Sequence, residues 1–208
     1  MIELIHGDCM DYMATLEDNA FDLAIVDPPY NLQRFKNGIG KNDRHTVKTK
    51  EDALWNNNAP TAEYWEQLFR ISANQIVWGA NNFTMPPSEY FCVWNKKQTV
   101  DNFATAEYAW VSMGLKKPAK MFDYGIHQHN ADGGKIHPTQ KPVKLYEWLL
   151  TNYAEKGQRI LDTHLGSGSS AIAAHYFGVD FVGIELDEDY YKAAKTRFER
   201  ETAQGALF

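Results

Sequence analysis

Apolar positions along the chain fall into short continuous runs separated by stretches with helical spacing. Ile2 to Ile5 reads as a strand, His6-Gly7-Asp8 as a turn, and Cys9 to Leu16 as a helix. Phe21 to Val26 is nearly unbroken in its apolar character, the mark of a strand buried on both faces. It stops at Asp27-Pro28-Pro29-Tyr30, because two prolines cannot continue a central strand. Thr61 has the position and chemistry of an N-cap for a helix over Ala62 to Ala73. Ile76 to Trp78, Tyr90 to Trp94 and Tyr108 to Met113 read as strands, and the polar stretch Gly114 to Lys135 as loop. Pro142 suits the first position of a helix running to about Tyr153. Then follow a strand at Arg159 to Leu161, a glycine-bearing turn at Asp162 to Ser169, and a helix closed by Gly178. A strand at Asp180 to Ile184 and an amphipathic helix from Asp187 to about Glu201 complete the series. Strands alternating with helices predict an α/β, doubly wound sheet.

One stretch breaks the alternation. Residues 31–60 show no clear period, and a segment of that length inside one domain predicts a mobile, functional loop. Its composition matters more than its shape. Between Asn31 and Asn58 stand six Lys or Arg, among them Arg34, Lys36, Lys41 and Arg44, against three acids. From Asn95 to Lys144 there are eight Lys against four acids. The formal net charge of −6 therefore hides basic regions able to face phosphates. The length of 208 residues suits a single domain. Cys9 and Cys92 lie among apolar or aromatic neighbours without metal-ligand spacing, and read as buried free thiols with no metal. The sequence opens on a strand and has no long apolar span, which predicts a cytoplasmic protein and no membrane partner.

Two constellations carry chemistry. The first is strand, turn, helix, strand, acid: Arg159 to Asp162, then Gly166-Ser167-Gly168-Ser169, then a strand ending at Glu185. Glycines let the backbone turn sharply and approach a ligand, and Glu185 follows Gly166 by 19 residues, where an acid meets ribose hydroxyls. The pattern fits an adenosine-type cofactor and does not separate a dinucleotide from S-adenosylmethionine. The second is Asp27-Pro28-Pro29-Tyr30 at the end of a buried strand, hence on the edge where ligands bind doubly wound sheets. A planar amine offers two N–H donors. A carboxylate at Asp27 and a carbonyl at Pro28 supply two acceptors, and Tyr30 supplies a face on which a flipped base can stack. An NAD-dependent oxidoreductase would use the glycine turn but leave Asp27-Pro28-Pro29-Tyr30 without a role. A catalytically inactive DNA-binding module would need neither.

Asp27-Pro28-Pro29-Tyr30, His137-Pro138-Thr139-Gln140-Lys141-Pro142 and the Asp162 to Ser169 turn, in that order, resemble the beta-class, S-adenosylmethionine-dependent amino DNA methyltransferases. The resemblance spans nearly the whole chain. It implies a Rossmann-like class I methyltransferase fold, with a seven-stranded, mostly parallel sheet and one antiparallel strand. For S-adenosylmethionine it implies contacts from Asp162, His164, Gly166, Ser167 and Gly168, and from Glu185 and Leu186. Asp8 and Cys9, and His137, Thr139 and Lys141, join that set, with Asp27 on the border of the two sites. Lys141 is assigned either to the methionine carboxylate or to a phosphate. Asp27, Pro28, Pro29 and Tyr30 hold the target amine, and Trp78 to Phe83 walls the pocket. Thr163 and His164 depart from the family's Pro-Phe, and Ser169 from its Thr.

The resemblance further implies base flipping from double-stranded DNA and direct transfer to N6 of adenine. The family's cytosine-N4 members more often carry Ser in place of the Asp, which leaves N4 of cytosine as the alternative. The segment from about 114 to 135 occupies the place of a target-recognition insert and is short for one. Lys116, Lys117 and Lys120 are its expected phosphate contacts. Relatives of this class often pair, so a homodimer belongs to the expectation.

Overall fold

The computed structural model describes residues 1–30, 59–99, 101, 104–125 and 136–203. The basic stretch with Arg34, Lys36, Lys41 and Arg44, and the end of the expected insert, lie outside the described residues. Among the described residues eight strands form one sheet: β1 (Ile2–His6), β2 (Phe21–Val26), β3 (Ser72–Trp78), β4 (Phe91–Asn95), β5 (Ala106–Val111), β6 (Lys120–Asp123), β7 (Arg159–Asp162) and β8 (Asp180–Glu185). Their spatial order is β1-β8-β7-β2-β3-β5-β4-β6. β5 alone runs against its neighbours β3 and β4, as the resemblance implied. The count differs from the expected seven. β6 forms inside the stretch read as loop, pairing parallel to β4 with Val93 beside Met121 and Trp94 beside Phe122. A four-residue edge strand, Lys-Met-Phe-Asp, carries too short a pattern to register in the sequence.

Among the described residues five α-helices accompany the sheet: α1 (Cys9–Ala14), α2 (Ala62–Ile71), α3 (Val143–Tyr153), α4 (Ser169–Phe177) and α5 (Glu188–Ala203). Alternate strand residues feed two cores. Leu23, Ile25, Ile76 and Trp78 pack with Leu145, Leu149, Ala171 and Ala174 of α3 and α4. Ala24, Val26, Val77 and Leu161 pack with Met13, Leu68 and Ile71 of α1 and α2. This double burial explains why β2, apart from the exposed Asp22, reads as an apolar run. The caps follow the sequence. Thr61 accepts a hydrogen bond from the Tyr64 N–H at 3.3 Å, and Gly178 takes φ +85° at the end of α4. Pro142 precedes the first helical residue rather than being it. Among the described residues no helix is long and apolar enough to cross a membrane.

Parallel strands deliver their carboxyl ends to one edge. β2 brings Asp27 there, β3 Gly79, β7 Asp162 and β8 Glu185. Antiparallel β5 brings its first residues to the same edge, with Ala106 beside Asn95 and Ala109 beside Trp78.

Candidate active site

Asp27 follows β2 with its side chain 15% exposed, and Pro28 behind it is buried. One carboxylate oxygen, Oδ1, accepts the Tyr30 hydroxyl and the other, Oδ2, accepts the Lys141 ammonium. Tyr30 lies against Gly79, where a Cβ would stand 2.2 Å from its ring, so only glycine admits the ring there. Phe83 meets the Tyr30 ring edge-on at 5.9 Å and also packs on Trp65 at 5.1 Å. Phe83 thus borders Tyr30 while packing against the core beneath α2. Burial, with the Asp27 and Glu107 carboxylates nearby, pushes the Tyr30 phenol well above its ordinary range. Tyr30 therefore stays a donor to Asp27.

Lys141 arrives from the segment ahead of α3. Gln140 closes this segment by accepting the Ile136 N–H at 3.0 Å, and the Gln140 N–H returns to the His137 carbonyl at 3.1 Å. The Lys141 side chain is 4% exposed and pairs with two carboxylates, Asp27 and Glu107, the latter at 3.2 Å. Burial alone would lower its pKa, but those two carboxylates raise it above the ordinary value. Glu107 was not among the residues singled out from the sequence. Its strand was read as starting at Tyr108, two residues too late; a lone acid at a strand start beside aromatics is the signal that would have found it. Burial opposes the charged form of Glu107, yet the Lys141 and Lys96 ammonium groups draw it down to about 2.

The glycine turn forms the second half. Gly166 and Gly168 take φ +53° and +74°, and a Cβ on Gly168 would stand 3.3 Å from the Ala194 carbonyl of α5. The Gly166 N–H donates to Glu185 at 2.8 Å and the Asp187 N–H to its other oxygen at 3.0 Å. Asp162 is 1% exposed and accepts the Ser170 hydroxyl at 2.6 Å and the His164 N–H at 3.1 Å. Burial pushes its carboxyl up to about 7, with Asp27 and Glu185 adding to the rise. His137 lies over the turn, 3.8 Å from where a Gly166 Cβ would be, and packs on Tyr190 at 4.4 Å. Its hydroxyl neighbour Thr139 meets His137 Nδ1 at 3.1 Å. Ser167 is buried, and Arg197 of α5, also unforeseen, donates to its carbonyl at 3.0 Å and to Ser169 Oγ at 2.9 Å. Asp8 caps α1 through the Met10 N–H at 2.8 Å. Cys9 is half-buried beside it, with its thiol pushed up to about 12 by burial. Leu186 is 66% exposed.

Lys116, Lys117 and Lys120 lie away from this edge. Gly114 abuts Asn74, which pairs with Leu23, four positions before Asp27. Lys116 and Lys117 follow, exposed, at the opposite edge of the sheet, and Lys120 opens β6 beside Cys92. Asn74 alone stands about 13 Å along the strands from the Asp27 level.

Two carboxylate clusters therefore meet on one edge, one at Asp27 and one at the glycine turn. The family model described as DNA methylase, for the N6/N4 class, matches residues 46–196. The chain belongs to this DNA methylase family. The methylase is 24% identical to the Type II methyltransferase M2.DpnII of Streptococcus pneumoniae, over 95% of this chain and 90% of that protein. The solved M1.HpyAVI–SAM complex superposes with a TM-score of 0.63 at 18% identity, covering 95% of this chain and 100% of that one. PvuII DNA methyltransferase, cytosine-N4-specific, superposes with a TM-score of 0.60 at 15% identity, covering 97% and 90%. Both superpositions speak for the class I methyltransferase fold.

Proposed function

We propose that the methylase transfers a methyl group from S-adenosylmethionine to the N6 amino group of adenine in double-stranded DNA. The observation that carries the reading is Asp27. It is a carboxylate, where the resemblance expects Ser more often in cytosine-N4 enzymes, and it stands next to Tyr30 at the carboxyl edge. The glycine turn fits the donor on its own chemistry. Asp162 is buried among neutral donors and further carboxylates, which suits a ligand bearing positive charge. Asp162, Gly166, Ser167, Gly168 and Glu185 would hold it, with His137 and Thr139 closing from above. When bound, S-adenosylmethionine supplies an electrophilic sulfonium methyl group.

The chain supplies position and field. Tyr30 offers its ring to the flipped base, a contact worth about 1–3 kcal/mol. Asp27 and the Pro28 carbonyl accept the two amine hydrogens, which draws the nitrogen lone pair out of conjugation. A carboxylate has about four lone-pair sites, so Asp27 takes the amine while keeping Tyr30 and Lys141. As the nitrogen gains its methyl group it becomes acidic, and the Asp27 oxygen is placed to receive the departing proton. Rate enhancement then comes from orientation and preorganised charge.

Incubation with duplex DNA and labelled S-adenosylmethionine, followed by digestion to nucleosides, tests the reading. N6-methyladenine is the expected product. N4-methylcytosine would keep the pocket chemistry and replace the target. No labelled nucleoside would refute both. Sedimentation with and without DNA reads whether two copies share a duplex.

A further inference from the structure

Glu107 sits where a residue of β5 can reach the catalytic edge only because that strand runs against its neighbours. Its carboxylate faces two ammonium groups, Oε1 2.5 Å from Lys96 Nζ and Oε2 3.2 Å from Lys141 Nζ. Lys141 in turn touches Asp27, and its ammonium lies 5.6 Å over the ring of fully buried Trp78. Four charges therefore run in a chain, Asp27–Lys141–Glu107–Lys96, two of each sign. Lysine is a point charge on a flexible stem. With one anion for a partner, a buried ammonium closes on that anion and occupies its lone pairs. With a second anion behind it, the ammonium is shared and its place is fixed from two sides.

We propose that Glu107 is a positioning residue for methyl transfer: by anchoring Lys141 from the side opposite Asp27, it keeps the Asp27 carboxylate oriented and available to the target amine. The inference rests on the reading of Asp27 as the amine acceptor. Glu107 touches neither the base nor the donor in this scheme. It acts through Lys141, so its effect must depend on Lys141 and must fall on turnover rather than on binding.

The experiment is a cycle of full-length variants: wild type, Glu107→Gln, Lys141→Met, the double variant, and Asp27→Ala as control. Initial rates with duplex DNA give kcat and both KM values, calorimetry gives the donor Kd, and thermal scans give Tm. Glu107→Gln should lower kcat about ten- to a hundredfold, the range for a misplaced catalytic group. Both KM values and the donor Kd should stay within about twofold, since binding groups are untouched. In the Lys141→Met background the same change should alter kcat less than about twofold, because its route is gone. Glu107→Asp, which keeps the charge, should recover part of the loss even if the Gln variant is unstable. Undiminished kcat in Glu107→Gln, losses that add in the double variant, or a defect confined to KM would each overturn the inference. Such a result with active wild type and dead Asp27→Ala leaves the amine-acceptor reading standing. An active Asp27→Ala, or a wild type that methylates no DNA, overturns that reading and the inference with it.

Discussion

Replacing Gly79 by alanine tests the target pocket through one methyl group. The new Cβ would stand 2.2 Å from Tyr30 Cε1 and Cζ and 2.5 Å from its hydroxyl oxygen. Ordinary carbon contacts lie near ~3.5–4.0 Å, so the ring must retreat by roughly 1.5 Å. Gly79 has little room to yield, because its N–H donates to the Tyr108 carbonyl at 2.8 Å and anchors it to β5. Two separable costs follow. Alanine at φ +65° costs about 1–2 kcal/mol in the backbone. For a chain of this size that lowers Tm by about 2–8 °C. Displacing Tyr30 removes its hydrogen bond to Asp27 and its stacking face. Losing about 1–3 kcal/mol of base stacking corresponds to about a five- to 150-fold fall in kcat. The donor Kd should hold, because the glycine turn belongs to β7 and α4. Steady-state rates on duplex DNA, donor calorimetry and thermal scans on Gly79→Ala, Tyr30→Ala and the double variant separate these terms. In the Tyr30→Ala background the added alanine should meet no ring, so kcat should fall no further and only the backbone share of the Tm loss should remain. Wild-type kcat in Gly79→Ala, or a full further loss in the double variant, would refute the pocket described here.

Two further outcomes follow from the charges. Folding raises the Asp162 carboxyl to about 7, whereas in an unfolded chain it titrates near ~3.9. The protonated form is favoured in the fold, so its contribution is whole below the unfolded value and lost as pH rises through the folded one. Asp162→Asn keeps an acceptor for Ser170 without the charge. The ligand-free variant should exceed wild type in stability by up to a few kcal/mol at pH 8, shrinking towards pH 5; denaturant melts that show equal gains at both would count against the burial argument. For DNA, exposed Lys97 at the β4–β5 connection lies on the catalytic edge, whereas Lys117 lies at the opposite one. Lys97→Glu should weaken DNA binding and reduce the salt slope by about one, while Lys117→Glu leaves both near wild type; the reverse ranking in filter binding would return the phosphate contacts to the Lys116–Lys117 segment.

The residues differ in how far their neighbourhood along the chain foretold their place. β2, the turn at Asp27 and the Gly166–Gly168 turn were legible because their signals are local: an apolar run, two prolines, glycines at fixed offsets. Thr61 and Gly178 announced helix ends for the same reason. Lys141 was legible as a candidate but not in its partners, since Asp27 lies 114 positions away and the contact exists only after the sheet forms. Glu107 and Arg197 were missed outright. One depends on a strand running the unusual way. The other is one of two arginines in a highly charged helix, where nothing distinguishes the one that turns inward to the Ser167 carbonyl. Lys116 and Lys117 were assigned by charge alone, and charge carries no direction across a sheet.

The Thr163-His164 pair shows how a departure from the family's pattern is absorbed. A proline at 163 would bring no hydroxyl into the interior; threonine does, in a side chain 3% exposed, and a buried hydroxyl needs partners. It has two, Tyr64 of α2 at 2.7 Å and Nδ1 of His164 at 2.9 Å. His164 stands where the family has phenylalanine, and its ring keeps an aromatic role by meeting Tyr64 edge-on at 5.6 Å. Burial lowers its pKa to about 4, so at neutral pH it is an uncharged ring whose Nδ1 shares a hydrogen bond with the Thr163 hydroxyl. An uncharged ring suits this buried aromatic surrounding better than an imidazolium would. The three residues come from α2 and from the turn after β7, 99 positions apart. Together they replace a rigid apolar corner with a small satisfied polar one, and the glycine turn above it keeps its shape.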